Sequence, residues 1–461
     1  MKKSTVKVKN ELKHNIQILI ENNSIKKAKI LIDDYFRVIK DDADAYGLKS
    51  IISILEGKYD EAEIILKEAL EFEEYNPDLL LNMSYLMDIK NDNKKAIEYF
   101  SKCKLFNIDN ETNVSNIINS KSEINTKIKV IHGTIEIANQ MNTLTKALNY
   151  IGVDAKNLNY YPNYLKYASN LSLDVNAIGN VDQANIETKK LASKLIPEND
   201  LFHFHFGSSL TLDQSDLPLL KELNKKVIMQ YWGSDVRMYS KALKISPFVK
   251  VKNNNEESIK RSLENAARYI DHCIVDFELG EYVKDFYKNV HYSRVAIDLK
   301  NYEVASTQNK NTKMLIVHAP TSPEIKGTEF ILHAIEVLKQ DYEFDFKVVQ
   351  NMSHKQATEI YKKADLIIDQ LLIGSYGVLA VEAMAMGKPV ICWISDFMKE
   401  KYPKDLPIIC ANPKDIKSKL EYIIKNRDML DVIGKRGRHY AEKYHDMNKV
   451  AKNLLDIYKI I

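Results

Sequence analysis

Over the first hundred or so residues, small and apolar positions recur every 34 residues. Ala28, Ala62 and Ala96 are each followed four residues later by a large apolar side chain (Ile32, Leu66, Phe100). Seven residues on comes a third packing position (Tyr35, Ala69, Cys103). Apolar positions at i+4 and i+7 from a small residue mark one face of a helix. A turn-like break precedes each of these helices, at Asn22-Asn23-Ser24, Glu56-Gly57-Lys58 and Asn91-Asp92-Asn93. Further helical stretches, such as residues 79–89, precede the breaks. The period predicts helix–turn–helix units stacked as a short solenoid over residues 1–108. Residues 109–126 are polar and read as a linker.

From Lys127 the pattern changes to short β-branched runs alternating with longer helical stretches. The candidate strands are 128–132, 155–159, 201–205, 227–231, 273–276 and 292–295. A polar join at 305–309 interrupts the series, and 314–318, 346–350, 366–369, 390–393 and 408–410 follow. Such alternation builds a parallel sheet wrapped by helices. Two series imply two α/β domains, 127–305 and 306–446, with a last helix at 447–461. Open parallel sheets bind ligands at the carboxyl ends of their strands, so the expected site is the cleft the two sheets face.

Composition narrows the function classes. The 461 residues suggest about three domains. The net charge of +3 gives no reason to expect nucleic acid or an anionic membrane as the main partner. The start of the sequence has no apolar signal region, and no run reaches the roughly 20 apolar residues of a membrane span. Cys103, Cys273, Cys392 and Cys410 stand far apart without metal-ligand spacing. A reducing cytoplasm is the expected compartment, and abundant Lys, Asn and Ile suggest a bacterial source. The helical repeat resembles tetratricopeptide repeats. That resemblance implies a concave face able to hold a peptide, an acceptor protein or a partner subunit.

Five stretches carry candidate chemistry. In Ala364-Asp365-Leu366-Ile367-Ile368-Asp369-Gln370, a buried strand ends. A loop containing Gly374, Ser375, Tyr376 and Gly377 follows, then a helix beginning near Val378, carrying Glu382 and stopped by Gly387. Free N–H groups and the helix dipole make that N-terminus an anion site. A carboxylate in its first turns can accept hydrogen bonds from sugar hydroxyls. In His318-Ala319-Pro320-Thr321-Ser322-Pro323-Glu324-Ile325-Lys326-Gly327-Thr328, a lysine follows a strand and Thr328 is the expected cap of the next helix. A compact ammonium suits a diphosphate. In Asp200-Leu201-Phe202-His203-Phe204-His205, the two histidines share one strand face, and His205 lies at the carboxyl end. After the first strand, Gly133 and Thr134 lead to Asn139 and Gln140, side chains able to contact substrate hydroxyls or start a helix. Asp235, in Gln230-Tyr231-Trp232-Gly233-Ser234-Asp235-Val236-Arg237, follows another strand and is a candidate site residue or a turn residue.

The Gly377–Glu382 stretch resembles the signature of retaining glycosyltransferases of the GT-B fold, family 4. The resemblance spans about residues 127–461. It implies two Rossmann-like domains facing a cleft, an acceptor side in 127–305 and a donor side in 306–446, and a last helix crossing back to the first. It implies an enzyme that moves a sugar from a nucleotide-diphosphate sugar to a protein, peptide or glycan acceptor, with no cofactor and no catalytic metal. Glu382 matches the second of the family's two glutamates, which holds the ribose. Aligned without gaps, the first falls on Gly374. Tyr376, Gly377 and Val378 match the segment near the diphosphate and sugar. Lys326 and Gly327 match a phosphate-binding pair whose upstream arginine is absent here. His205 resembles the active-site histidine that contacts the donor sugar. The loop holding Gly133, Thr134, Asn139 and Gln140 matches the family's glycine-rich loop in layout, and Asp235 sits in a matching loop. The missing glutamate and arginine also motivate an alternative: a degenerate GT-B protein serving as partner of another glycosyltransferase.

Overall fold

The computed structural model describes residues 2–107, 127–162, 165, 167–304 and 313–461. The expected linker at 109–126 and the join at 305–309 lie outside these residues. The chain forms two compact units. One holds the N-terminal helices together with residues 180–200 and 210–225; the other holds 127–179, 201–209 and 226–461.

The helical unit contains α1 (Lys2–Glu21), α2 (Ile25–Val38), α3 (Ala43–Leu55), α4 (Tyr59–Phe72), α5 (Pro77–Ile89) and α6 (Asn93–Phe106). Ala28, Ala62 and Ala96 are fully buried, and so are Ile32, Leu66 and Phe100. A small residue there lets neighbouring helices approach closely. The turns between paired helices reuse one backbone solution: Asn23, Gly57 and Asn91 all adopt positive φ, at 53°, 74° and 59°. Asn and Gly tolerate that conformation best. Asp42, Asn76 and Asp92 cap α3, α5 and α6 through side-chain acceptors. The Val181–Leu195 and Asp216–Glu222 helices, which the sequence places between α/β strands, pack in this unit. Ion pairs Lys94–Glu198 (2.7 Å) and Lys104–Glu222 (3.5 Å) join them to α6.

The second unit carries two parallel sheets. The first runs β3-β2-β1-β4-β5-β6-β7. Its strands are β1 (Lys129–Thr134), β2 (Asp154–Asn159), β3 (Leu171–Ser172), β4 (Leu201–His205), β5 (Lys226–Gln230), β6 (His272–Val275) and β7 (Asn289–Tyr292). The second runs β12-β11-β10-β8-β9. Its strands are β8 (Met314–His318), β9 (Phe344–Val348), β10 (Leu366–Ile368), β11 (Val390–Cys392) and β12 (Ile409–Cys410). Both sheets are covered on two faces, so their strands read as apolar runs. In β10, Leu366 and Ile368 enter one core and Ile367 the opposite one. The strand order reverses between β1 and β4 and again between β8 and β10. Those reversals open a crevice at the carboxyl ends.

Most expected strands are found with ends shifted by one or two residues, and three differences are larger. The first strand continues through Gly133 and Thr134, which therefore belong to β1 and not to a loop. The two-residue β3 is too short to leave a pattern. The strand expected at 292–295 ends at Tyr292, and the apolar run after it takes another role. The Val295 carbonyl accepts from His445 Nδ1 (2.8 Å), and Ile297 exchanges backbone hydrogen bonds with His445 and Met447. That exchange seats the Met447–Ile460 helix, whose Val450, Leu454 and Tyr458 pack with Leu144 and Leu148 of the Gln140–Tyr150 helix beside the first sheet.

Candidate functional site

A cavity of about 400 Å³ lies in the second unit and is lined from both sheets. From the second come Lys326, Gln370, Ser375, Tyr376, Gly377 and Val378. Lys326 closes a one-turn helix, Pro323–Lys326, that ends because Gly327 turns left-handed (φ 78°). A Cβ at Gly327 would meet Leu372 at 3.1 Å, so glycine also permits the close approach. Thr328 is the first residue of the following helix and not its cap. Its hydroxyl donates instead to His318 Nε2 (2.9 Å), because His318 Nδ1–H is spent on the Ile368 carbonyl. The Val378–Ala385 helix starts at Gly377, whose N–H donates to Asp369 Oδ2 (2.6 Å). Asp369 Oδ1 accepts from Lys326 Nζ (2.9 Å), and Gln370 Oε1 lies 2.6 Å from the same ammonium. Lys326 follows β8 and Asp369 follows β10, so this pair spans the reversal point of the sheet.

The first sheet contributes Gln230, Trp232, Arg237, Asp276 and Glu278 to the cavity lining. Burial pushes the Asp276 carboxyl up to about 6. Arg237 and Glu278 form a two-point pair: Nε to Oε1 at 2.8 Å and Nη2 to Oε2 at 2.6 Å. These two acids follow a strand end as Asp276-Phe277-Glu278. That position was the available signal for residues the motif reading passed over.

His205 does not line this cavity. It is fully buried, with both ring nitrogens engaged. Trp232 Nε1–H donates to His205 Nδ1 (3.1 Å). An indole N–H can only donate, so the His205 proton sits on Nε2, 3.0 Å from His132 Nδ1. His132 then carries its proton on Nε2, 3.2 Å from the Tyr458 oxygen. The Tyr458 hydroxyl in turn donates to His203 Nδ1 (2.6 Å). Burial holds the His132 imidazole down at about 3 and holds His203 and His205 well below their ordinary range. The three histidines bring ring nitrogens within 4.8 Å of one another, a spacing a metal ion could use. The hydrogen-bond chain already occupies both nitrogens of His132 and His205 and Nδ1 of His203.

Most of the remaining candidates are bonded to other parts of the chain. Gln140 is pinned to the Ala296 backbone by two hydrogen bonds (3.1 and 2.9 Å). Asn139 is left-handed (φ 63°) and accepts from Asn142 Nδ2 (2.9 Å). The helix start there belongs to Glu136, which the motif reading missed. It takes the N–H groups of Met141 and Asn142 at 3.0 Å each, and burial raises its carboxyl to about 7. Thr134 bonds Ser208 and Ser209, and Gly133 packs on Leu158. Asp235 is a turn residue, accepting from the N–H groups of Trp232 and Gly233. Glu382 is 8 % exposed and lies outside the cavity lining. Its Oε1 accepts from Tyr302 (2.9 Å) and His354 Nε2 (2.6 Å). Gly374 has φ 88°, and a Cβ there would come within 2.8 Å of Ser395 Cβ.

Residues 334–440, which hold Gly374, Gly377 and Glu382, match the family described as Glycosyl transferases group 1. An uncharacterized glycosyltransferase of Methanocaldococcus jannaschii is 23% identical over 147 residues, or 26% of this chain. The match spans 40% of that relative's length. Among solved structures, sucrose-phosphate synthase from Thermosynechococcus elongatus superposes with a TM-score of 0.51 at 14% identity, covering 72% of this chain and 98% of that one. A glycosyltransferase from Rickettsia africae gives 0.53 at 14%, covering 72% and 98%. Anabaena HepE, solved in complex with UDP and glucose, gives 0.51 at 10%, covering 72% and 100%. With its two facing parallel sheets and these neighbours, the α/β part of the chain has the GT-B fold, preceded by an all-helical region.

Proposed function

We propose that the chain is a glycosyltransferase that takes a sugar from a nucleotide-diphosphate sugar, with retention of configuration and without a catalytic metal. The observation that carries this is one wall of the cavity. Lys326 and the N-terminus of the Val378–Ala385 helix converge there, at the reversal point of the second sheet. In this reading the bond from the anomeric carbon to the β-phosphate oxygen breaks. Its electron pair leaves with the nucleoside diphosphate, where the lysine and the helix N–H groups stabilise the developing charge. The acceptor oxygen bonds to the anomeric carbon on the same face and passes its proton to the departing diphosphate. Residues 306–446 form the donor side and 127–305 the acceptor side. HepE, with UDP and glucose in its complex, supports a nucleotide sugar as the donor class. The N-terminal helices, tetratricopeptide-like in their spacing, hold an acceptor protein, peptide or partner subunit, and the compartment is the cytoplasm. Among the described residues, no helix is long and apolar enough to cross a membrane.

The test is a calorimetric and thermal-shift screen of nucleotide sugars against wild type and Lys326→Ala. A donor raises the melting temperature by mass action. Loss of a charge-assisted hydrogen bond weakens its binding by about 10- to 100-fold in Lys326→Ala. No binding of any nucleotide sugar by the wild type sinks the proposal.

A further inference from the structure

The second-sheet wall has less free charge for a diphosphate than its lysine suggests. The Lys326 ammonium already faces the Asp369 carboxylate, and the N–H of Gly377, which precedes the Val378–Ala385 helix, is spent on that same carboxylate. A diphosphate brings at least two negative charges into the cavity. A second cation, paired with one carboxylate as Lys326 is, stands across it. Arg237 lines the same cavity and is held by an unusually complete set of supports. Glu278 takes its Nε and Nη2, which leaves Nη1 outside those two bonds. Glu278 is itself fixed, because the Tyr282 hydroxyl donates to its Oε1 (3.0 Å). The backbone under the guanidinium is shaped for it. Gly233 has φ 142°, and a Cβ there would come within 3.1 Å of Arg237 Nη1. Asp235 closes that turn by accepting from the Gly233 N–H (2.7 Å). Burial opposes the Arg237 charge, but Glu278 beside it outweighs burial and holds the guanidinium protonated. A planar fork fixed through Nε and Nη2, on a residue that lines the cavity, keeps Nη1 for a phosphate oxygen.

We propose that Arg237 is a second diphosphate-binding residue, reaching the donor from the first-sheet wall, with Glu278 and Gly233 as its positioning residues. The proposal rests on the nucleotide-sugar reading of the same cavity. It differs from that reading in placing part of the phosphate site on the acceptor side.

The experiment is calorimetry on the full chain with nucleoside diphosphates and the matching nucleoside monophosphates as probes. Wild type, Arg237→Gln and Arg237→Lys are compared. In the wild type the diphosphate binds more tightly than the monophosphate. In Arg237→Gln the diphosphate weakens by about 10-fold or more, while the monophosphate changes less. In Arg237→Lys, which keeps charge but loses the fork, the loss is intermediate. A purely structural Arg237–Glu278 pair would lower the melting temperature and leave the diphosphate-to-monophosphate ratio unchanged, which overturns the proposal. If Arg237→Gln does not fold, Arg237→Lys decides alone: a wild-type ratio overturns it. Failure of the wild type to bind any nucleoside diphosphate is a different result and removes the donor reading itself.

Discussion

Two strand-end positions, Lys326 after β8 and His205 at the end of β4, use their polar groups in opposite ways. On the second sheet, Lys326 and Gly377 stand at the surface of the cavity, and a carboxylate behind them, Asp369, holds them in place. On the first sheet, the histidine that the motif places at the strand end is withdrawn. Its two nitrogens are consumed by Trp232 and His132, and it is Trp232 that lines the cavity. The difference teaches that a position at a strand's carboxyl end specifies proximity to a site but not access to it. Access depends on whether the side chain finds partners behind the sheet. Lys326 is exposed to ligand because its partners leave one side open. His205 is sealed because an imidazole accepts and donates at opposite edges, and both edges meet protein.

The largest effect that would break this contrast is expected at Gly374. Gly374→Glu restores the carboxylate of the resembled motif at a left-handed position facing Ser395. Strain and overpacking together should destabilise the fold by about 2–5 kcal/mol, with no gain in sugar-nucleotide binding. A stable Gly374→Glu chain that binds donor more tightly would show that the second wall has room for the missing side chain. Next comes Tyr458→Phe, which removes one hydroxyl from the sealed histidine cluster and leaves His203 Nδ1 and His132 Nε2 without their partner. A loss of about 1–3 kcal/mol in urea unfolding is expected, with ligand affinity unaltered. If affinity falls instead, the sealed histidine cluster acts on the ligand site. The smallest effect concerns His354, beside neither group. Its hydrogen bond to Glu382 raises its proton affinity against a smaller opposing effect of burial. The pair's stability contribution is thus full below the unfolded histidine value of about 6.5 and is lost as pH rises through the higher folded value. About 1 kcal/mol or less is at stake. NMR titration should place His354 above that value and His132 below it; identical titrations would dissolve the contrast between buried and paired imidazoles.

Much of the fold is legible in the sequence because both sheets are covered on two faces. Runs such as Met314–His318 and Leu201–His205 are continuous and bounded by polar turns, and they emerge as β8 and β4 with those ends. The solenoid period is legible because close helix contact demands the same small residue at Ala28, Ala62 and Ala96. The site is legible where it depends on local chain chemistry: a lysine before a left-handed glycine, and a glycine opening a helix. It is not legible where partners are remote. The burial of His205 follows from Trp232, and the His132 pairing follows from Tyr458, 326 residues away. The placement of Glu382 against Tyr302 and His354 likewise joins distant segments. Asp276 and Glu278 were readable only as two acids after a strand. Their meaning depends on Arg237 arriving across the sheet.

The proton order in the Trp232–His205–His132–Tyr458–His203 chain has a consequence for synthesis. Four of these five groups are available once residue 232 has been made, yet the chain lacks the hydroxyl that links two of its imidazoles until residue 458 is added. Until then His203 Nδ1 and His132 Nε2 lack the partner that they have in the folded chain. Tyr458 therefore joins a hydrogen-bond chain whose other members were made more than two hundred residues earlier.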